Sequence, residues 1–472
     1  MEQYDVKRFS DPIHGTIGFS KLEVELIDSR AFQRLRNIKH LGLAHYVFPG
    51  ADFSRFSHSL GVCHLTGRIF EALKSNRVSV DDDDIKMFRL AGLLHDIGHY
   101  PFSHAFEDPI ADGYRESLTT TPENRDGEES EIETKRYFKH ERLGKLILEK
   151  DPEISNILKK HEIEVQSISK IFLREDVPKF DNLISADFDA DRIDYLMRAA
   201  HHTGLPYGDL DLDYLLSQLV VDNNFKVCLK DKALRAADHF LLSRYFQYQQ
   251  VIFNKTVRVF EQLLKDIVAN LLGSDHFDLS ASGIETMVQD GSWYEFDDAS
   301  VYRLIEKISK DPEDSVMRDK AIAIVARKPP VLVAIDEFLG QRSEDGLTHF
   351  KRTKGLAESR IEAWSSEFNI PKDYWHVDSF ISKLSSMGST VSLTTAKDLS
   401  DEDVDRIEQV IHIWESEKGK ATPITQLKSS LMKALSNTAL YSVRVYLVRP
   451  SGREIKIDEI RDRVRRDLFI SD

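Results

Sequence analysis

The chain of 472 residues is poor in cysteine, in positive charge and in long apolar runs. With only Cys63 and Cys228, it needs no disulfide framework, so we expect a reducing compartment. Its 64 Lys and Arg against 79 Asp and Glu leave a formal net charge of -15, which argues against nucleic acid or an anionic membrane as the main partner. No apolar run reaches the roughly 20 residues of a membrane span, and the first residues lack the apolar segment of a signal peptide. The sequence therefore predicts a soluble, cytoplasmic protein.

Histidine, in contrast, is plentiful and unevenly spread. Of the 17 histidines, 12 lie within the first 202 residues. Scattered core histidines would be distributed more evenly along the chain. The crowding therefore indicates that the N-terminal part carries imidazole chemistry.

Apolar residues recur at three- and four-residue spacings through most of the N-terminal part, which predicts helices. These predicted helical stretches are 22–42, 58–76, 81–99, 138–150, 154–173 and 231–273. In the C-terminal third, 328–335 and 439–450 have the character of strands. We expect a mainly α-helical core over residues 1–275, followed by a smaller mixed α/β region over 276–472 that serves assembly or regulation.

Residues 107–133 differ from their surroundings because they hold ten acidic and two basic residues and little apolar content. Such a composition predicts a surface loop or insertion rather than a packed element.

The strongest local pattern lies in residues 90–104, where His95 and Asp96 are adjacent in an apolar stretch that we predict to be helical up to Pro101. Burying this pair is costly unless its members are paired or bind a metal, and a lone pair of this kind is more often a structural contact. Further candidate ligands accompany it, namely His58, His99 and His104, and later Asp187, Asp189, Asp191 and Asp194. Two imidazoles with two carboxylates suit a divalent first-row metal and metal-assisted hydrolysis.

Six sequence motifs carry a resemblance to a known family. They are DPIHG (11–15), FQRLRNIKHLG (32–42), YVFPGA (46–51), RFSHSLGV (55–62), HDIGHYPFSH (95–104) and DADRIDY (189–195). In kind and order they resemble the HD-domain metal-dependent phosphohydrolases. The deoxynucleoside triphosphate triphosphohydrolase branch, which includes the vertebrate enzyme with a SAM and an HD domain, is the most similar. The likeness covers roughly residues 5–270.

The resemblance implies a role for each matching residue. The implied ligands of a divalent metal ion (Mn, Mg, Fe, Zn, Ni or Co) are His58, His95, Asp96 and Asp191. The implied acid–base residues are His99, His104, His140 and Glu107, and the implied substrate contacts are Arg55, Arg192, Arg244, Tyr195 and His40. A regulatory nucleotide site is implied for Asp28, Gln33, Arg36, Lys230 and Lys232. The implied reaction is attack of metal-activated water on the α-phosphate, which releases deoxynucleoside and triphosphate. The implied partners are a nucleoside triphosphate substrate, a nucleotide activator and further copies of the chain in a dimer or tetramer.

Several positions depart from the family pattern, and all of them concern the nucleoside. His40 stands where the family has glutamine, and Ala199 stands where it has an acidic residue. Ile252 and Asn254 replace a tyrosine and a histidine, and the tyrosine helps to exclude a 2′-hydroxyl. Two alternatives therefore stay open: hydrolysis of another nucleotide or phosphate ester, and a nucleotide sensor or nuclease-like defence component.

Overall fold

The computed structural model describes residues 6–107, 139–184, 186–272, 277–383 and 410–469, without the side chain of His104. The α-helices are α1 Lys21–Asp28, α2 Arg30–Gln33, α3 Arg55–Ser75, α4 Asp82–Leu94, α5 His140–Lys150, α6 Pro152–Lys160, α7 Val165–Leu173, α8 Ala190–Thr203, α9 Leu212–Ser217, α10 Leu234–Gln247, α11 Lys255–Leu272, α12 Ala281–Asp290, α13 Asp298–Ile308, α14 Ser315–Val325, α15 Glu344–Phe368, α16 Leu431–Leu435 and α17 Ile457–Phe469. The strands are β1 Lys7–Asp11, β2 Gly15–Phe19, β3 Leu219–Val221, β4 Val227–Lys230, β5 Val331–Gln341, β6 Trp375–Lys383, β7 His412–Glu415, β8 Lys420–Pro423 and β9 Thr438–Leu447. The mainly helical fold with a smaller mixed region confirms the predicted class.

The chain forms two compact units, which do not follow a single cut in the sequence. The first consists of Met1–Gln247, Val268–Val301 and Asp401–Ser430, and the second of Tyr248–Ile267, Tyr302–Ser400 and Leu431–Asp472. The division thus differs from one boundary between residues 275 and 276. The roles predicted for the two regions stay predictions.

Helix α3 is the centre of the first unit, where it packs against α4 and α8. Gly61 sets how closely α3 and α8 approach, because a Cβ at this position would lie 1.9 Å from Oδ1 of Asp194. Only glycine leaves room there for the buried carboxylate. This close approach brings His58, one turn earlier on α3, to the first turns of α8.

Two small sheets complete the first unit. Strands β1 and β2 form an antiparallel hairpin, and the second sheet has the order β3–β4–β7–β8. Its β4–β7 pairing is parallel, with Leu229 opposite Ile413. Residues far apart in the sequence therefore share one sheet.

The second unit contains an antiparallel sheet of order β5–β9–β6, against which α15 and α17 pack. Alternating side chains of β9 are apolar, and the strand is buried along nearly its whole length. Trp364 of α15 is fully buried, and its Nε1–H donates to Asp467 of α17 at 2.8 Å. The strands confirm the two strand predictions, with the first beginning at Val331 rather than at residue 328.

Two predicted helical stretches are interrupted because side chains cap the backbone within them. Ser29 ends α1, since its hydroxyl donates to Leu26 O, and it begins α2 by accepting from Phe32 N. Asn254 begins α11 in the same way, with Oδ1 accepting from Thr256 N at 3.0 Å, after a single π-helical turn at Tyr248–Ile252. Such side-chain caps compete with helix continuation. Among the described residues, no helix has the length and apolar character needed to cross a membrane.

Candidate metal centre and surrounding site

Four predicted metal ligands converge from three places in the first unit. His58 lies in the first turns of α3, His95 and Asp96 directly follow α4, and Asp191 lies in the first turn of α8. Nε2 of His58 is 3.0 Å from Asp191 Oδ1 and 3.8 Å from Asp96 Oδ2. Nε2 of His95 is 3.3 Å from Asp96 Oδ1 and 3.9 Å from Asp191 Oδ1. The structure thus brings the predicted ligand set together.

The prediction that His95 and Asp96 lie within a helix extending to Pro101 is wrong. Helix α4 ends at Leu94, and His95 is its C-terminal cap. The loop after it packs tightly on the start of α5, because a Cβ on Gly98 would lie 2.2 Å from His140 O. That contact requires glycine, and it brings His140 beside the metal ligands.

Both imidazoles are held in one tautomer by their Nδ1 atoms. Nδ1 of His58 lies 2.8 Å from Asp194 Oδ2, and Nδ1 of His95 lies 2.8 Å from Gly92 O. Because both acceptors are oxygens, Nδ1 carries the proton and Nε2 keeps its lone pair in each neutral ring. Both Nε2 atoms are buried and have no hydrogen-bond partner among the described residues.

This donor set fits a divalent cation. Bonds of about 2.0–2.2 Å to one ion place neighbouring donor atoms about 3–4 Å apart, which matches the spacings of the His58, His95, Asp96 and Asp191 donors. His58, His95 and Asp191 also form one of the histidine–acid groups in this structure able to hold a metal ion. Imidazole with carboxylate suits first-row divalent ions.

A buried hydrogen-bond network, which the sequence alone did not reveal, surrounds Asp194 behind His58. Asp194 accepts from His58 and, at 2.7 Å, from Nε2 of His14, and it accepts from Nε and Nη2 of Arg198 at 2.8 and 2.9 Å. Arg198 also donates to Asp11 at 2.9 Å. Burial alone would raise the pKa of Asp194, but Arg198 and the two histidines hold it well below its usual range. The i, i+4 spacing of Asp194 and Arg198 and the motif DPIHG were the available signals.

Three of the four predicted acid–base residues lie together beside Asp96. The rings of His99 and His140 stack with centroids 3.7 Å apart, and Nδ1 of His140 donates to Glu107 Oε1 at 2.9 Å. His99 Nε2 is 3.1 Å from Asp96 Oδ1. The fourth residue, His104, has a side chain outside the described part of the structure, so its predicted role stays a prediction.

The two stacked imidazoles have opposite pKa shifts. Burial lowers the pKa of His99 well below its usual value, and the charge of Arg55 adds to this effect. Burial acts the same way on His140, but Glu141 and Glu107 outweigh it and raise the pKa of His140 to about 9. At neutral pH one ring is therefore neutral and the other is a cation, which is the usual arrangement of an acid–base pair.

The three arginines predicted to bind phosphate all pair with aspartates. Arg55 is buried and donates to Asp96 Oδ2 at 2.5 Å. Arg192 and Arg244 meet at Asp187, whose Oδ1 lies 2.6 Å and 3.1 Å from their Nη1 atoms. The structure thus places Arg192 and Arg244 at one carboxylate and Arg55 at a metal ligand, and a phosphate-binding role for all three stays a prediction.

The residues predicted near the nucleoside have a mixed outcome. His40 and Tyr195 lie with ring centroids 6.4 Å apart. Ala199 is fully buried on α8 and offers no carboxylate. In the second unit, Ile252 packs against the apolar cluster of Phe253, Phe380 and Leu440.

A second missed residue, Asp298 at the start of α13, holds two active-site segments together. Its Oδ1 accepts from Phe102 N at 2.6 Å, and its Oδ2 accepts from Lys39 N at 2.9 Å. Phe102 and Ser103 both have left-handed backbone conformations, with φ of 52° and 59°, which are costly for residues with a Cβ. Asp298 therefore fixes a strained turn between His99 and His104. No sequence signal linked residue 298 to this turn.

Arg34 fixes the same loop from the other side. Its Nη1 donates to His99 O and its Nε to Phe296 O, both at 2.8 Å, and its guanidinium lies 4.4 Å from the ring centre of Trp293. Burial lowers the pKa of Arg34 to about 10, although Asp298 and Asp297 oppose the shift. Arg34 is charged at neutral pH and links residues 293–298 to the active-site loop.

The predicted regulatory residues form two separate sets of contacts. Asp28 pairs with Lys7 at 3.1 Å, and Gln33 Oε1 accepts from Arg36 Nε at 2.7 Å. Lys230 donates to Asn76 Oδ1 at 2.9 Å. Among the described residues, the hydrogen bonds do not join the two sets. The nucleotide site stays a prediction. Elsewhere in the first unit, Cys63 and Cys228 are free and buried.

In the mainly helical first unit, the pair of His95 and Asp96 thus meets His58 from one helix and Asp191 from another, and His58, His95 and Asp191 form a group able to hold a metal ion. The family model of the HD domain matches residues 55–196, a range that contains all four predicted ligands. This part of the chain is therefore similar to HD domains, and the chain resembles the HD-domain phosphohydrolases.

Among similar proteins, an uncharacterised protein of Bacillus subtilis (strain 168) is 33% identical over 268 residues, which are 56% of this chain and 55% of that protein. The deoxynucleoside triphosphate triphosphohydrolase of Homo sapiens is 30% identical over 320 residues, which are 61% of this chain and 49% of that protein. The chain thus spans about half the length of these relatives.

Among solved structures, a hypothetical protein from Aquifex aeolicus has a TM-score of 0.68 at 27% identity, and the match covers 98% of this chain and 99% of that one. A phosphohydrolase from Bacteroides thetaiotaomicron has a TM-score of 0.66 at 22% identity, with 94% and 100% covered. The second likeness concerns the fold alone.

Proposed function

We propose that this protein is a metal-dependent hydrolase that converts deoxynucleoside triphosphates to deoxynucleoside and triphosphate. The observation that carries the proposal is the convergence of His58, His95, Asp96 and Asp191 beside the stacked pair of His99 and His140. The resemblance to the human triphosphohydrolase supports the choice of substrate. A divalent cation bound by the four ligands supplies Lewis-acid chemistry, lowering the pKa of water and polarising a phosphoryl oxygen.

The stacked histidines serve proton transfer in this proposal. His140 carries a proton at neutral pH because Glu141 and Glu107 stabilise its charged form, so it acts as the general acid toward the leaving oxygen. His99, held neutral by burial and Arg55, provides an uncharged contact beside it.

Arg192 and Arg244 bind the phosphate chain. Both donate to Asp187 in this structure, which keeps their guanidinium groups side by side. Two adjacent guanidinium groups offer planar, multiply donating contacts to phosphate oxygens. Their charge gives the site a local positive field that the acidic chain as a whole lacks.

The test is a substrate panel with resolved products. The purified protein with Mn²⁺ or Mg²⁺ is incubated with each dNTP, each NTP and single-stranded DNA. We expect triphosphate and deoxynucleoside from dNTPs. Release of diphosphate or of a nucleoside monophosphate would contradict the proposal.

A pH profile tests the assignment of His140. Replacing Glu107 by Gln removes a hydrogen-bonded negative charge, so the pKa of His140 falls from about 9. Because the general acid must be protonated, raising the pH then abolishes activity at a lower pH value than in the unmodified protein. We expect the alkaline limb of kcat/KM to move down by roughly 1 pH unit, equivalent to about 1.4 kcal/mol.

Two further variants complete this test. Glu141→Gln should move the same limb in the same direction, since Glu141 Oε1 lies 3.5 Å from Nε2 of His140. Glu149→Gln, at the other end of α5, is the control and should leave the limb in place. An unchanged limb in both Glu107→Gln and Glu141→Gln would rule out His140 as the acid.

A second candidate function is hydrolysis of another nucleotide or phosphate ester. The observation that favours it is the buried, uncharged Ala199, which replaces the acidic residue that the resembled family uses at the sugar. Equal activity of the protein on the ribonucleotides and on the dNTPs of the substrate panel would favour this candidate. Nucleotide activation, homo-oligomer formation and a cytoplasmic location stay predictions from the sequence.

A further inference from the structure

His40 is held rigidly beside the metal ligands by its backbone and by stacking. Its N–H donates to Phe53 O at 3.0 Å, and the preceding residue, Lys39, forms a β-bridge with Ser54. The imidazole stacks on the Phe53 ring with centroids 5.3 Å apart and 20° between the planes. The direction of the ring is therefore set by packing.

That direction brings His40 to the donor atoms of the centre. The rings of His40 and His58 have centroids 4.4 Å apart and meet edge to face. One ring nitrogen of His40, one of His58 and one oxygen of Asp96 all lie within 4.8 Å of one another. Nδ1 of His40 is buried and has no hydrogen-bond partner among the described residues.

A neutral imidazole has one donor and one acceptor nitrogen, and with the proton on Nε2 His40 offers the lone pair of Nδ1, the nitrogen that has no hydrogen-bond partner among the described residues. His58 cannot serve two ions, because its Nδ1 is bonded to Asp194 and only Nε2 is left. A cation that takes His58 Nε2 and Asp96 is therefore the same cation that His40 faces.

The other histidine group near Asp96 differs in geometry. His99 and His140 also lie within 4.8 Å of each other and of Asp96. Their rings are nearly parallel, with 18° between the planes and centroids 3.7 Å apart, so their in-plane lone pairs point past each other rather than to one ion. The ring planes of His40 and His58 meet at 63°, so their in-plane lone pairs can point to one ion.

We propose that His40 is an additional nitrogen ligand of the cation held by His58, His95, Asp96 and Asp191, and that it makes the centre selective for first-row transition ions over Mg²⁺. Imidazole nitrogen suits Fe, Ni and Zn ions, whereas Mg²⁺ prefers oxygen donors. A third imidazole therefore shifts the preference away from Mg²⁺. The inference rests on the metal centre of the proposed function and not on its substrate.

The experiment compares metal binding by the full chain and by His40→Gln, in the absence of nucleotide. The proteins are stripped with a chelator and titrated with Mn²⁺, Co²⁺ and Mg²⁺ by calorimetry. We expect His40→Gln to bind Mn²⁺ and Co²⁺ at least about 10-fold more weakly, on the scale of lost metal-site interactions, and to change the visible absorption spectrum of bound Co²⁺. Its Mg²⁺ affinity should change far less. His45→Gln is the matched control, because His45 is on the same segment but bonds to Gly42 O and Lys39.

Unchanged Mn²⁺ affinity and an unchanged Co²⁺ spectrum in His40→Gln would overturn the proposal. A second measurement needs no variant: pulsed electron paramagnetic resonance of Mn²⁺ in the unmodified protein counts bound imidazole nitrogens. Three support the proposal and two contradict it. Failure of dNTP hydrolysis in the substrate panel would leave these binding results intact, so the two proposals fail separately.

Discussion

Asp96→Asn is expected to abolish both metal binding and hydrolysis. Asp96 supplies donor atoms within 3.8 Å of both ligand histidines, and asparagine offers one neutral oxygen in place of a charged carboxylate. Loss of outer-shell partners costs about 10–100-fold in metal affinity or activity, so loss of a ligand should cost more than about 100-fold. Metal content by elemental analysis and kcat/KM on the active substrate measure the effect.

The interpretation needs a control for folding. Asp96 also pairs with the buried Arg55, and an unpaired buried charge costs about 3–5 kcal/mol, so a lower Tm is expected as well. Asp213→Asn removes an exposed carboxylate bonded to Arg68 and should keep both metal and activity. If Asp96→Asn is folded and still holds one metal ion per chain with unmodified activity, the ligand assignment is wrong.

Asp194→Asn is expected to weaken metal binding although Asp194 is not one of the four ligands that the family resemblance implies. The carboxylate fixes the proton of His58 on Nδ1 and so directs the lone pair of Nε2 toward the other donors. Asparagine accepts fewer of the four hydrogen bonds and no longer balances Arg198. We expect Mn²⁺ affinity to fall by about 10–100-fold and the free energy of unfolding to fall by about 3–5 kcal/mol.

Asp11→Asn separates orientation of the ligand from stability. It breaks the other ion pair of Arg198 but makes no contact with His58 in the described network. It should lower Tm while leaving Mn²⁺ affinity close to that of the unmodified protein. Equal losses of affinity in Asp11→Asn and Asp194→Asn would show that stability alone explains the effect.

The ligand set could be predicted from the sequence because it depends on short motifs. The residue types alone left His99, His104 and further aspartates as candidates, and the resemblance of the motifs to a known family reduced the set to His58, His95, Asp96 and Asp191. Long-range geometry was not needed to select them. It was needed to show that their donor atoms meet.

Local structure around the ligands was harder to predict, for a physical reason that differs by position. Periodicity continues past Leu94, but the tight contact of Gly98 with α5 ends the helix there. Ser29 and Asn254 interrupt helical stretches through hydrogen bonds of single side chains. The spacing of apolar residues does not show where a side chain bonds to the backbone and ends a helix.

The supporting residues were missed because their partners are remote in the sequence. His14 meets Asp194, which is 180 positions away, and Asp298 meets Phe102, which is 196 positions away. A carboxylate next to an ordinary helix start has the same appearance in the sequence whether it caps that helix or holds a distant loop. The predicted insertion at 107–133 lies, apart from Glu107, outside the described residues.

The two hydrogen bonds that Asp298 accepts from Lys39 N and Phe102 N can form only late in the synthesis of the chain. Domains generally begin to fold during synthesis, from the N-terminus. A nascent chain that has passed residue 191 already carries all four ligand residues, yet the carboxylate that bonds to Phe102 and Lys39 has not been translated. Asp298 can therefore hold the turn at Phe102 only after the chain has been synthesised beyond residue 298. The geometry of the turn at residues 102–103 thus depends on a residue outside the matched range 55–196.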